Sequence, residues 1–151
     1  MAKASGIVVV DTYAIMADLL GQATPPAVNV LESIRVGDTR GILHYLIIYE
    51  LTYHWRKGRL PFHDENELLE FIGTYFDVIN LNPKIAVEAA QIKVKGDQML
   101  KQASEKMLKR RKLSVSDATS IALAKALKAP IVTGDADLMY VARKMDVQIL
   151  W

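Results

Sequence analysis

The sequence predicts an α/β fold in which a parallel sheet is covered on both faces by helices. Two observations predict it. Short runs rich in β-branched residues, such as "IVVV" at Ile7–Val10 and "PIVT" at Pro130–Thr133, have no polar alternation. That is the pattern of a strand buried on both faces. Stretches of helical periodicity separate these runs, and alternating strands and helices pack as a parallel sheet between helical layers.

The elements follow in order. Ile7–Val10 is the first strand, "ILHY" at Ile42–Tyr45 the second and "DVINL" at Asp77–Leu81 the third. Pro130–Thr133 is the fourth, with its proline at an edge where no ladder donor is needed. "VQIL" at Val147–Leu150 is the fifth. Between them, Leu46–Arg56 sets Ile47, Ile48, Leu51 and Trp55 on one helical face. Glu65–Tyr75 sets Leu68, Leu69 and Ile72 inward. Pro83 suits the first position of a long helix through Ile85, Ala86, Ala89, Ala90 and Ile92. Gly96 is a candidate interruption, after which a second helical part carries Met99, Leu100, Ala103 and Met107. Ser116 is the expected cap of a helix through Ala118, Ile121, Ala122 and Leu127, and Asp137–Lys144 is the last helix.

Size and composition set the frame. With 151 residues, 51% of them hydrophobic, the chain can bury one core, and a single domain over residues 1–151 is expected. It has no cysteine, which excludes disulfides, thiolate metal sites and cysteine nucleophiles. The formal net charge of +2 leaves local charge to matter more than the total. The most apolar stretch, Ile42–Leu51, contains His44 and Glu50 and is too short to span a bilayer. Met1–Gly6 leads directly into a strand-like run. No membrane association and no secretory leader are therefore expected, and a cytoplasmic location is.

The acids are placed unusually. Asp11 follows the first strand directly, and Asp135 lies two residues after the fourth. Ligands of parallel sheets sit beyond the carboxyl ends of the strands. Glu50 falls in the apolar context "LIIYELTY", and Asp117 opens the alanine-rich helix. Each acid has an ordinary structural reading. Asp11 and the pair Asp135 and Asp137 suit caps or turns, and Asp117 suits the positive end of a helix. Glu50 is harder to explain so, because an unpaired, partly buried glutamate is rare. Four acids at element ends that converge on one sheet edge suit a hard divalent cation such as Mg²⁺ or Mn²⁺. One or two such ions are the chemistry of phosphodiester cleavage.

Four segments, "VVVDT", "LIIYELTY", "LSVSDATSIALA" and "IVTGDADL", make the chain resemble the PIN-domain ribonucleases, and its length is similar to that of VapC-type toxins. The resemblance implies a three-layer α/β/α sandwich with a five-stranded parallel sheet whose first and fourth strands are adjacent. It implies Asp11, Glu50, Asp117 and Asp135 as a catalytic, metal-holding quartet, with Asp137 as an auxiliary acid ligand and Thr133 as a hydrogen-bonding neighbour. It further implies an RNA substrate, a small antitoxin partner and a homodimer. Many relatives carry a small hydroxyl residue two positions after the first aspartate. Tyr13 stands there instead, and Thr12 is the neighbouring candidate for its role. The segment from Gly96 to Lys112 is longer than in compact relatives.

Two basic stretches are candidate RNA contacts. Lys106, Lys109, Arg110, Arg111 and Lys112 form the denser one, ahead of Asp117. Arg56 belongs to the second, "HWRKGR". A solvated helix end explains either stretch equally simply. His54 shares a helix face with Glu50, although a structural role suits it better. The spacing of Tyr45, Tyr49 and Tyr53 marks a packed or interface stripe. The leading reading is a Mg²⁺- or Mn²⁺-dependent endoribonuclease, and the alternative is a catalytically silent RNA- or protein-binding module. A haloacid-dehalogenase-type phosphohydrolase wants Asp-x-Asp after the first strand, where this chain has "DTY".

Overall fold

The computed structural model describes residues 6–151; Met1–Ser5, which enter the expectation of no leader and of a domain beginning at residue 1, lie outside the described residues. The chain runs β1 (Ile7–Val10), α1 (Thr12–Leu19), α2 (Pro25–Arg35), β2 (Arg40–His44), α3 (Tyr45–Arg56), α4 (Glu65–Tyr75), β3 (Phe76–Ile79), α5 (Pro83–Lys101), α6 (Lys106–Lys109), α7 (Val115–Leu127), β4 (Ile131–Val132), α8 (Ala136–Lys144) and β5 (Ile149–Leu150). All strand pairs are parallel, in the order β3-β2-β1-β4-β5. The predicted α/β/α sandwich with a five-stranded parallel sheet is therefore the observed fold.

Strand pleating divides the core into two layers. Val9, Ile42 and Ile131 face a cluster built with α5, α7 and α8. Val8, Val10, Leu43 and Val132 face the opposite cluster with α1 to α4. Successive side chains of a strand point to opposite faces, so each unbroken apolar run feeds both layers. Strand order reverses at the β1–β4 seam, where Val9 pairs with Ile131 and Val10 with Val132. Asp11 and Thr133 emerge next to each other from that seam.

Several element limits differ from the sequence expectation. Tyr45 opens α3 instead of closing β2, and Pro130 and Thr133 flank β4. Between β1 and β2 lie α1 and α2, whose N-caps are Asp11 and Thr24. Gly96 does not interrupt α5, which is continuous to Lys101. A Cβ at Gly96 would lie 2.8 Å from Leu113 Cδ2, so this glycine makes room for the chain leading into α7. Met99 and Leu100 belong to the same helix, whereas Met107 sits in the short α6 and is exposed. Leu69 is also exposed, because Leu68 and Ile72 already fill the inward face of α4. Among the described residues no helix is long and apolar enough to cross a membrane.

Candidate functional site

The acids converge at the carboxyl end of the β1–β4 seam. A cleft of about 390 Å³ is lined by Asp11, Glu50, Asp117, Asp135 and Asp137, together with Thr12, Tyr13, Met16, His54, Arg111, Lys112 and Ser114. Lys106, Lys109, Arg110 and Arg56 stand outside that lining. Arg56 lies over the Trp55 ring instead, 5.5 Å from its centroid. Of the basic candidates, only Arg111 and Lys112 reach the cleft.

Each acid is held by its local structure. Asp11 is the N-cap of α1, and its Oδ2 accepts from Tyr13 N at 3.3 Å and from Thr133 Oγ1 at 2.8 Å. Thr133 Oγ1 in turn accepts from Asp135 N at 3.0 Å, so one buried hydroxyl ties together the acids of two strands. Asp135 caps α8 through Leu138 N at 3.0 Å. Glu50 projects from α3, and its Oε1 accepts from Thr12 Oγ1 at 2.6 Å and Ser116 Oγ at 3.1 Å. Asp117 lies in the first turn of α7, whose N-cap is Ser114. For Asp11 and Asp135 the capping and site readings are therefore compatible, since capping fixes where these two carboxylates stand.

The N-cap of α7 corrects the expectation for Ser116. Ser114 Oγ accepts from Asp117 N at 3.0 Å, and Ser116 is left free to bind Glu50. The Ser-x-x-Asp spacing of a capping box, Ser114 to Asp117, was the signal for it. His44 joins β2 to α7 through a 2.9 Å bond between Nε2 and Ser120 Oγ. Burial pushes its pKa down to about 4, so the imidazole is neutral.

Charge is crowded here. Asp11 is 3% exposed, and its pKa is pushed up to about 7 by burial, then by repulsion from Glu50 and Asp135, against the Thr133 hydrogen bond. Asp117 is pushed up to about 9 by loss of hydration and by repulsion from Asp11, Asp135 and Glu50. Both shifts mark a site that disfavours its own negative charge. Asp137 differs from the other four. Its Oδ2 accepts from Arg111 Nε at 2.7 Å, and its buried Oδ1 has no hydrogen-bond partner. Burial raises its pKa, opposed by Arg111.

The donor set fits a hard divalent cation. It is all oxygen, it repels itself, and a cation would relieve the repulsion. Among the described residues no three acid or imidazole side chains are arranged to hold a metal ion as they stand. Thr12 and Ser116 bond Glu50 through Oε1, and Thr133 bonds Asp11 through Oδ2, so each carboxylate keeps its second oxygen for an ion.

Fold and cleft together define an acid-lined α/β/α domain with its site at the strand-order switch point. The sequence matches the PIN domain over residues 8–144, and the chain belongs to that family. No curated protein matches it in sequence. Solved structures show the same fold. VapBC2 from Rickettsia felis, bound to a DNA fragment from its promoter, aligns with TM-score 0.65 at 15% identity, covering 95% of this chain and 96% of that one. PAE2754 from Pyrobaculum aerophilum aligns at 0.57 and 20% identity, covering 89% and 83%. VapC20 from Mycobacterium tuberculosis, a toxin that cleaves the sarcin–ricin loop, aligns at 0.54 and 16% identity, covering 87% and 92%.

Proposed function

We propose that this PIN-domain protein is a Mg²⁺- or Mn²⁺-dependent endoribonuclease of the VapC toxin type, occupying a single domain. The observation that carries the reading is the convergence of Asp11, Glu50, Asp117 and Asp135 on one cleft where their charges oppose one another. These four residues would hold one or two ions. A divalent cation bound there supplies Lewis-acid stabilisation of a phosphodiester and acidifies water. The remaining work falls to the chain's own residues. Thr12 and Ser116 orient Glu50, and Thr133 spaces Asp11 from Asp135. Asp137 anchors Arg111 through Nε, leaving the rest of the guanidinium for a phosphate oxygen. Lys112, beside it on the cleft wall, adds positive charge. Water attacks phosphorus in line and the P–O3′ bond breaks, leaving a 5′-phosphate and a 3′-hydroxyl.

The partners follow the same reading. Tyr45, Tyr49 and Tyr53 are exposed along α3. Leu46, next to Tyr45 in the chain, joins Ile85, Ala86, Ala90 and Val115 in lining an apolar groove of about 280 Å³. A second copy of the chain is the homodimer partner we expect on this surface, and a small antitoxin protein is the expected inhibitor. Light scattering that found only monomer at micromolar concentration would remove the dimer.

Cleavage of labelled single-stranded RNAs with Mg²⁺, Mn²⁺ or EDTA, by wild type and Asp11→Asn purified in parallel, tests the function. Cleavage that needs metal and vanishes in the variant is expected. RNA binding without cleavage under every metal condition would favour a silent binding module.

A further inference from the structure

The quartet chemistry makes no use of an aromatic pair at the cleft rim. Tyr13 lies in the first turn of α1, and its backbone N–H is bonded to the Asp11 carboxylate. Its side chain lines the acid cleft, yet the residue is 47% exposed. Trp151 meets it edge-to-face, with ring centroids 5.5 Å apart and planes at 76°. The two rings close over Gly134, between the candidate residues Thr133 and Asp135. A Cβ there would lie 2.4 Å from Trp151 Cε2 and 2.7 Å from Tyr13 Cε1. Gly134 is not among the glycines with positive φ, so space for two rings, not backbone geometry, requires it. Trp151 is itself packed against the core layer that holds α1.

Ordinary core packing does not account for this arrangement. An aromatic ring serving only the core would be buried, and no glycine would be needed to hold it at a wet rim. A braced, half-exposed ring is already ordered, so a ligand stacking on it orders little more. Every nucleobase presents a π-face, and unpaired RNA bases can be splayed onto aromatic side chains. The only covalent link between ring and quartet is the Asp11–Thr12–Tyr13 backbone. We propose that Tyr13, braced by Trp151 over Gly134, is the stacking platform for the nucleobase beside the phosphate held in the acid cleft. It is thereby a determinant of which RNA sequences are accepted. The proposal rests on the nuclease reading and names how that site selects its substrate.

The test uses Asp117→Asn protein, so that RNA is bound without being cut. Affinity is measured for a short single-stranded RNA carrying 2-aminopurine and for inorganic polyphosphate, which has the charges and no bases. Adding Tyr13→Ala is expected to weaken RNA binding roughly tenfold. It should leave polyphosphate affinity unchanged and abolish 2-aminopurine quenching. Tyr13→Phe keeps the ring and should retain RNA affinity, polyphosphate affinity and 2-aminopurine quenching, and Trp151→Leu should give a smaller loss. Where Tyr13→Ala is misfolded by circular dichroism, Tyr13→Leu keeps bulk without a π-face and gives the same readout. Equal RNA affinity with and without the ring, or parallel losses for both ligands, overturns the platform. Metal-dependent cleavage by otherwise wild-type protein that is indifferent to Tyr13→Ala in rate and base preference overturns the platform alone. A protein that neither binds nor cuts RNA overturns the nuclease reading with it.

Discussion

The cleft at the carboxyl end of the sheet encloses about 390 Å³, and one at the amino end encloses about 510 Å³. The larger is lined by Lys125, Lys128, Pro130, Asp146 and Gln148 among others, and its charged side chains are exposed. Its unusual backbone, with φ of 53° at Lys128 and 61° at Asp146, belongs to turns at the ends of α7 and α8. The smaller cleft has no such strain. It gathers carboxylates where burial and mutual repulsion raise Asp11 and Asp117. Volume therefore says little about which cleft is functional. The telling quantity is charge that folding alone would not bring together.

The most direct way to break this comparison is Asp117→Asn. Cleavage is expected to fall by roughly a hundredfold or more while circular dichroism is unchanged. Full activity in that variant would remove Asp117 from the chemistry. Arg111→Ala comes next. Roughly tenfold lower kcat/KM is expected, with a destabilisation of about 1–3 kcal/mol in urea unfolding, since Asp137 is left buried with neither oxygen paired. Arg111→Lys should recover only part of either loss, because a point charge does not replace the guanidinium fork. Normal activity and stability in both variants would show that the Arg111–Asp137 contact is incidental.

The electrostatic cost itself can be titrated. The ordinary aspartate value is 3.8, against about 7 for folded Asp11 and about 9 for folded Asp117. Between these limits the native state binds more protons than the unfolded chain, so stability falls as pH rises. Metal-free protein should therefore lose about 1–3 kcal/mol from mildly acidic to alkaline pH, after screening at the partly exposed Asp117 is allowed for. Asp117→Asn should flatten that fall, and Mg²⁺ or Mn²⁺ should offset it most at alkaline pH. Thermal melts across pH check all three, and a profile that rises with pH would contradict the crowding. The smallest effect belongs to the opposite cleft. Lys128→Gly relieves a left-handed residue and should stabilise by about 0.5–1 kcal/mol with unchanged cleavage. Altered cleavage there would tie the amino-end cleft to function.

Much of this was readable along the chain. Apolar runs gave away β1, β2 and β4, because a residue buried on either face of a sheet must be apolar wherever it falls, whereas β3 at the sheet edge carries exposed Asp77 and Val78. Asp11 and Asp135 could be placed at strand ends by counting, and Glu50 stood out for its apolar context, in which Ile47 and Leu51 are buried and Tyr49 is exposed. Helix limits were less legible. Ser114 and Ser116 are both competent caps, and Gly96 reads as a breaker until Leu113 is seen against it.

By itself, then, the sequence determined the strands, the helical periods and the acids Asp11, Asp117 and Asp135 at element ends, with Glu50 in mid-helix, because these depend on neighbours a few residues away. Tertiary structure decided the partners. It bonded Ser116 and Thr12 to Glu50, Arg111 to Asp137, and set Tyr13 against Trp151 over Gly134. Such pairings join residues up to 138 positions apart, Tyr13 to Trp151 being the widest. Their geometry exists only once the sheet has closed in the order β3-β2-β1-β4-β5, which sets β4 between β1 and β5.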